Sequence, residues 1–283
     1  MTATASHLPP AANLPVMRGD LVAELDRFVH AFPHDASAAY TPPQPHELAA
    51  FREGWSTLRR GDAAGAAGLL AAIGCEVVAF RDEPSGQVFQ IVREHEVGAG
   101  LPGRGWGMYI HNPAGDTRTV VEVPHAWSDG YTQEIGAQLL RDTRAGALLV
   151  SGAVRNATGN GRGPGGSDMA HATGSIFDAA HRSMLATTGL VVQLHGFNEQ
   201  RHIGYGDVVV SEGATPRGPA QSVAAALRRS GYDANAYDGV AFRALAGTRN
   251  VQGASTRAAG STFLHVEASR ASRATPESRA RFS

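Results

Sequence analysis

Four short segments carry ionisable side chains where an apolar run breaks off. The first is Thr119-Val-Val-Glu-Val-Pro-His125-Ala-Trp-Ser-Asp129-Gly-Tyr-Thr132-Gln-Glu134, and the second is Leu190-Val-Val-Gln-Leu-His195-Gly-Phe-Asn198. Histidine and carboxylate supply the nitrogen and oxygen donors that zinc accepts, and three protein ligands plus a water make the usual catalytic arrangement. Pro124 ends the first run, so His125 stands at its mouth with Asp129 one loop away. The competing explanation is a helix cap by Asp129 or Thr132 beside a structural histidine. In the second segment Gly196 lets the backbone turn away directly after His195. A lone histidine at a strand end is ordinarily a hydrogen-bonded structural residue, and it is the pairing with His125 that favours a ligand role.

The third segment, Ser261-Thr-Phe-Leu-His265-Val-Glu267-Ala-Ser269, closes an apolar run with a carboxylate, a poor place for a charge without a partner or a task. Beside a metal site Glu267 could accept a proton from the attacking water and pass it to a leaving nitrogen. Otherwise it forms a salt bridge to an arginine. His265 alternates with Glu267 on one face and is a candidate supporting partner. The fourth segment is Val150-Ser-Gly-Ala-Val-Arg155-Asn156, followed by Ser167-Asp168-Met-Ala-His171. Arg155 could grip a substrate carboxylate through two parallel hydrogen bonds, with Asn156, Asp168 and His171 as further substrate contacts. Asp168 and His171, three apart at an expected helix start, share a face and could equally be a helix-terminal pair.

These segments need a frame that brings strand ends together. Short apolar runs bounded by Gly, Asp and Pro predict strands at 75–81, 87–93, 106–111, 118–123, 147–152, 190–195, 206–210 and 262–267. Helical periodicity predicts helices at about 132–142, 167–187 and 219–230, the last with Pro219 just inside its start and Gly231 just past its end. Alternating strands and helices imply an α/β fold with a mixed, largely parallel central sheet covered by helices on both faces, and active residues at strand C-terminal ends. Upstream, residues 1 to about 19 read as an irregular arm. Two packing helices follow, one carrying Leu21, Leu25 and Phe28 and one carrying Leu48, Phe51, Trp55 and Leu58, with a Pro-bearing connector at 35–46. The expected division is an N-terminal arm with packing helices over 1–74 and an α/β catalytic domain over 75–283, forming one continuous globular unit.

Composition narrows the chemistry. Hydrophobic residues at 42% and charged residues at 18% describe a folding chain and not a disordered one. Net charge is -1 and all 25 basic residues are arginine without a basic block, so nucleic acid is not an expected partner. No run is long and apolar enough for a membrane span, and the first residues lack a charged region followed by an apolar core, so neither membrane insertion nor a visible leader is expected. A soluble protein, cytoplasmic or secreted, with no evident obligate protein partner is the expectation. The single cysteine, Cys75, excludes an intramolecular disulfide and a cysteine-rich metal site, so any metal must use His, Asp or Glu. The stretch Gly159-Asn-Gly-Arg-Gly-Pro-Gly-Gly166 lacks a Gly-Lys-Ser/Thr ending and contains Pro164, which makes it a flexible loop beside a site and not a phosphate cradle. No Gly-x-Ser-x-Gly elbow is present. His181, inside the expected 167–187 helix, reads as surface or support, and His30, His34, His46, His111 and His202 have no second ligand nearby in sequence.

The order of His125 with a nearby carboxylate, then Arg155-Asn156, then His195 at a strand end and Glu267 on a late strand is similar to zinc carboxypeptidases and to the related N-formylglutamate amidohydrolases and acylases. The resemblance covers roughly residues 105–270. It implies Zn2+ held by His125, an acidic ligand and His195, with Glu267 as general base and acid and Arg155 gripping the substrate or polarising its carbonyl. The carboxypeptidase pattern His-x-x-Glu is broken, because Ser128 occupies the acidic position. Asp129 is the nearest substitute, with Glu134 and Glu122 as alternatives. The spacing Pro-His-x-x-x-Asp-x-x-Thr looks more like the amidohydrolase branch. The expected activity is hydrolysis of an amide or peptide bond in a carboxylate-bearing substrate: an acylated amino acid, a peptide or a glutamyl polymer. The competing functions are a zinc esterase and a non-catalytic domain binding a peptide or cell-wall fragment.

Overall fold

The computed structural model describes residues 14–31, 40–97, 101–158 and 161–282. Ten strands form the main sheet: β1 (Val16–Gly19), β2 (Cys75–Asp82), β3 (Val88–Glu94), β4 (Met108–His111), β5 (Asp116–Val123), β6 (Ala145–Val150), β7 (Leu190–Phe197), β8 (Val208–Ser211), β9 (Ala234–Ala236) and β10 (Thr262–Ser269). Their order across the sheet is β1-β2-β3-β4-β6-β5-β7-β10-β8-β9. The central strands β6, β5, β7 and β10 are mutually parallel, while β2, β3, β4 and β6 pair antiparallel on one side and β8 pairs antiparallel with β10 on the other. The fold is thus the expected mixed α/β sheet, and all eight expected strands form.

Strand alternation divides the core. Val121, Val123, Leu148, Leu194 and Leu264 face a layer built by helices α1 (Leu21–His30), α5 (Thr132–Thr143) and α7 (Pro219–Arg229). Their neighbours Val120, Leu149, Val191 and Phe263 face α2 (Pro45–Arg59), α3 (Ala63–Ala71) and α6 (Ile176–Met184). Each buried Leu or Phe in these layers contributes about 1.5–3 kcal/mol by removal from water. Helix starts follow local chemistry: Asp20 caps α1 by accepting from Val22 N, Ser175 caps α6 by accepting from Asp178 N, and Pro219 opens α7. Two short helices complete the elements used below, α4 (Ala126–Asp129) and α8 (Val251–Ala258).

Two expectations are corrected, and two helices were not anticipated. The arm over residues 1–19 ends in a strand, because Val16–Gly19 pairs in parallel with Ala79–Asp82, while residues 1–13 lie outside the described residues. The helix expected over 167–187 begins only at Ile176 and ends at Met184. Its first turns are diverted: Asp168 N donates to Gly161 O, and Ala172–Thr173 pairs in parallel with Gly163–Pro164. Gly174 at φ +72° then leads into the Ser175 cap. Finally, α3 and α8 were not legible, since Ala-Ala-Gly-Ala-Ala-Gly-Leu-Leu-Ala and Val-Gln-Gly-Ala-Ser-Thr-Arg-Ala carry no clear apolar stripe. Within the 35–46 connector, residues 35–39 and His34 before it lie outside the described residues. No described helix is long and apolar enough to cross a membrane.

Candidate metal centre

β5 ends at Val123, and His125 adopts a non-helical conformation before the single turn of α4. Asp129 N donates to His125 O at 2.8 Å, and this i, i+4 turn stacks the Asp129 carboxylate beside the His125 ring. On the adjacent strand, paired in parallel with β5, β7 delivers His195. At Gly196 a Cβ would enter the guanidinium of Arg273 and come within 2.6 Å of Asp129 O, so glycine is required there for β7 to pass beside α4.

Three donor atoms converge. His125 Nδ1 and His195 Nδ1 are 3.3 Å apart, and Asp129 Oδ2 lies 3.5 Å from the first and 3.4 Å from the second. A tetrahedral zinc site with bonds of about 2.0–2.1 Å has ligand-to-ligand edges of about 3.3–3.4 Å. Both imidazoles have their other nitrogen engaged: His125 Nε2 with Asp168 Oδ1 at 2.8 Å and His195 Nε2 with Gln193 Oε1 at 2.8 Å. Since each acceptor calls for an N–H at Nε2, the Nδ1 lone pairs are left facing the triangle. Asp129 Oδ2 is buried without a hydrogen-bond partner, a situation that costs about 1–3 kcal/mol or more for a charged group. A cation seated among the three atoms removes that cost, and the donor set fits zinc.

Protonation states agree at Asp129 and His195. Burial raises the Asp129 carboxyl pKa, but the close approach of the His125 and His195 rings outweighs it and keeps the group ionised. Burial, helped by the neighbouring charge of His265, pushes His195 down to about 4, so its ring is neutral at pH 7. For His125, burial favours the neutral ring, yet the carboxylates of Asp129 and Asp168 beside it favour the protonated one and raise it above its ordinary value. A metal must therefore compete with a proton at His125. The nearest cation in this structure is Arg155, whose Nη2 lies 2.5 Å from His125 Nδ1 and 3.3 Å from Asp129 Oδ1. Its side chain is 45% exposed and can swing aside.

β10 lies next to β7 in parallel register, with His195 opposite Glu267 and Gln193 opposite His265. Paired positions point to the same face of the sheet, so Glu267 stands beside the histidine cluster. His265 Nε2 donates to Glu267 Oε1 at 3.1 Å, and the His195 and His265 ring centres are 4.3 Å apart. Burial pushes the Glu267 carboxyl up, but the His265 hydrogen bond and the charges of His195 and His265 reverse this and hold it below the usual range. His195, His265 and Glu267 form a second group with metal-donor spacing.

A cavity of about 860 Å³ opens over these residues. Its wall includes five arginines, Arg155, Arg162, Arg201, Arg243 and Arg249, against one carboxylate, Glu267. Arg201, Arg243 and Arg249 are exposed, and none of the three has an ion-pair partner among the described residues. The Gly-rich stretch borders the cavity through Arg162, while Gly159 and Asn160 lie outside the described residues. His171 lines the wall and bonds Asp168 Oδ2 through Nδ1 at 3.0 Å.

The structure thus gathers His125, Asp129, His195, Glu267, Arg155, Asp168 and His171. Asn156 is exposed and does not line the cavity. The alternative acidic ligands lie elsewhere: Glu134 pairs with Arg279 at 2.8 Å, and buried Glu122 bonds His181 Nδ1 at 2.7 Å and Gln193 Nε2 at 2.9 Å. His181 is buried and not on the surface. Sequence reasoning passed over Arg201, His202, Arg243 and Arg249. For the first two, the available signal was their position just after the end of β7.

No family model matches the chain, and no curated protein matches it. Among solved structures it is similar to YndL in its zinc-free apo form, with a TM-score of 0.39 and 18% identity over 55% of this chain and 68% of that one. It is similar to a bacteriophage poly-gamma-glutamate hydrolase with a TM-score of 0.38 and 16% identity, over 56% of this chain and 69% of that one. A succinylglutamate desuccinylase from Silicibacter sp. overlaps 74% of this chain and 62% of its own, with a TM-score of 0.34 and 13% identity. These overlaps are partial, and the chemistry of the site rests on its own atoms.

Proposed function

We propose that the chain is a zinc-dependent hydrolase of an amide or peptide bond in a carboxylate-bearing substrate, such as an acyl-amino acid, a peptide or a glutamyl polymer. The observation that carries this reading is the triangle of His125 Nδ1, Asp129 Oδ2 and His195 Nδ1 with edges of 3.3–3.5 Å and an otherwise unpartnered carboxylate oxygen. Zinc held there supplies Lewis acidity and brings the pKa of a water toward neutrality.

The chain's own residues do the rest. Glu267 Oε1 is held by His265, which leaves Oε2 to take the proton of the attacking water and return it to the leaving nitrogen. Arg155 offers its guanidinium beside the cluster, where it neutralises charge on the carbonyl oxygen. Arg201, Arg243 and Arg249 bind the substrate's carboxylates at the cavity rim. Asp168 orients the His125 ring through its 2.8 Å hydrogen bond.

A second reading, a non-catalytic binding domain on the same fold, draws on Arg155, whose guanidinium gives the cluster a cation of its own. Metal analysis of protein purified without chelator, combined with amine release from N-acyl amino acids and γ-glutamyl peptides, separates the two. Zinc near one per chain, with activity abolished by chelator and restored by zinc, supports the hydrolase. Absence of zinc, with no change in Tm on adding it, supports the binding domain.

A further inference from the structure

Gln193 sits in mid-strand on β7, fully buried, and both ends of its amide are claimed. Nε2 donates to Glu122 Oε2 at 2.9 Å and to Gln252 Oε1 at 3.4 Å. Oε1 accepts from Asn250 Nδ2 at 2.5 Å and faces His195 Nε2 at 2.8 Å. The orientation is anchored by backbone groups whose roles are unambiguous. Asn250 Oδ1 accepts from Gly253 N at 2.8 Å, so its amino group must face Gln193. Gln252 Nε2 donates to Met169 O at 3.0 Å, so its oxygen must face Gln193. Glu122, with its other oxygen 2.7 Å from His181 Nδ1, fixes the same direction from a third side. His181 is in turn held by Ser255 Oγ at 2.9 Å.

We infer that Glu122, Gln193, Asn250 and His181 form a tautomer lock on His195. With its amide fixed, Gln193 can only accept from His195. The proton of the neutral ring therefore resides on Nε2, and Nδ1 is bare before any metal arrives. An inverted Gln193 amide would place an N–H donor against Nε2, drive the proton to Nδ1 and block the atom that faces Asp129. Glu122 and Gln193 are positioning residues here; neither touches substrate. The effect on metal affinity rests on the metal-centre reading above, whereas the tautomer itself does not.

The test has two arms. In metal-free protein, long-range proton–nitrogen spectra of labelled histidines, assigned with His195→Gln, are expected to show His195 protonated at Nε2. A proton on Nδ1 in the wild type overturns the lock whatever any variant does. In Glu122→Gln and in Gln193→Leu, the same spectra are expected to show the Nδ1–H form populated, and the zinc dissociation constant to rise about 10–100-fold. Should Glu122→Gln not fold, Gln193→Leu, which leaves the Glu122–His181 pair intact, carries the arm. An unchanged tautomer with zinc affinity within about twofold of wild type refutes the inference. If the wild-type protein binds no zinc while His195 is protonated at Nε2, the metal-centre reading fails and the lock stands.

Discussion

Glu267→Gln separates metal binding from proton transfer. His265 Nδ1 is buried without a partner, so its ring proton sits on Nε2 and points at position Oε1 of residue 267. A glutamine must therefore turn its carbonyl oxygen to His265 and its amino group to the cavity. A donor then stands where an acceptor of the water's proton is needed. Loss of general-base assistance costs about 10²–10⁴-fold, equivalent to about 2.7–5.5 kcal/mol of transition-state stabilisation. The substitution is isosteric and leaves the His125, Asp129 and His195 triangle untouched, so zinc content is expected to stay at the wild-type value. The assay pairs metal analysis with kcat and KM for amine release. The expected outcome is a fall in kcat with little change in KM. A Gln variant within about threefold of wild type would refute the assignment of Glu267 as the proton acceptor, and loss of zinc would show it to be a ligand instead.

Replacing Arg243 and Arg249 together with alanine removes two exposed cations worth about 0.2–1 kcal/mol each. The KM for a substrate with two carboxylates is then expected to rise, while that for a neutral-ended amide stays constant; equal effects on both would remove the arginines from substrate recognition. Gly196→Ala drives a methyl group into Arg273, whose guanidinium bonds Gly130 O, Ala268 O and Ser269 O. Overpacking and lost charged hydrogen bonds together cost about 3–5 kcal/mol, so a clear drop in Tm is expected and an unchanged melting curve would contradict the close approach. Asp82, fully buried, accepts from Leu21 N at 2.8 Å, Ser85 Oγ at 2.5 Å and Arg141 Nη2 at 2.5 Å. Burial pushes its pKa up, but these hydrogen bonds outweigh it and depress the folded-state value. Its contribution is present above the unfolded carboxyl pKa of about 3.9 and is lost as pH falls through the lower folded value. The stability gap between wild type and Asp82→Asn is thus expected to narrow on acidification, and a constant gap between about pH 5 and pH 2 would contradict this.

Much of the frame was legible because its stops are chemical. Pro124 ends β5 where the sequence says it must, and the His125 to Asp129 spacing is one helical turn, whereas β7 runs on through Gly196 to Phe197 in register with β10, so the turn expected directly after His195 does not form. What was not legible depends on strand parity and register, which no local pattern carries. Glu122 looked like a possible metal ligand because it lies near a strand end, but the pairing of β5 with β7 sets it opposite Gln193, two residues short of His195. Asp168 looked like the start of a helix, whereas its carboxylate is taken up by His125 and His171 and the chain around it pairs with the Gly-rich loop. Charge was equally silent. With arginine as the sole cation, spread along the whole chain, only the topology shows that five converge on one cavity and that three of them face it without a carboxylate partner among the described residues. The same register that demotes Glu122 as a ligand brings it against Gln193, so the feature that misled sequence reasoning becomes the anchor of the histidine it was expected to assist.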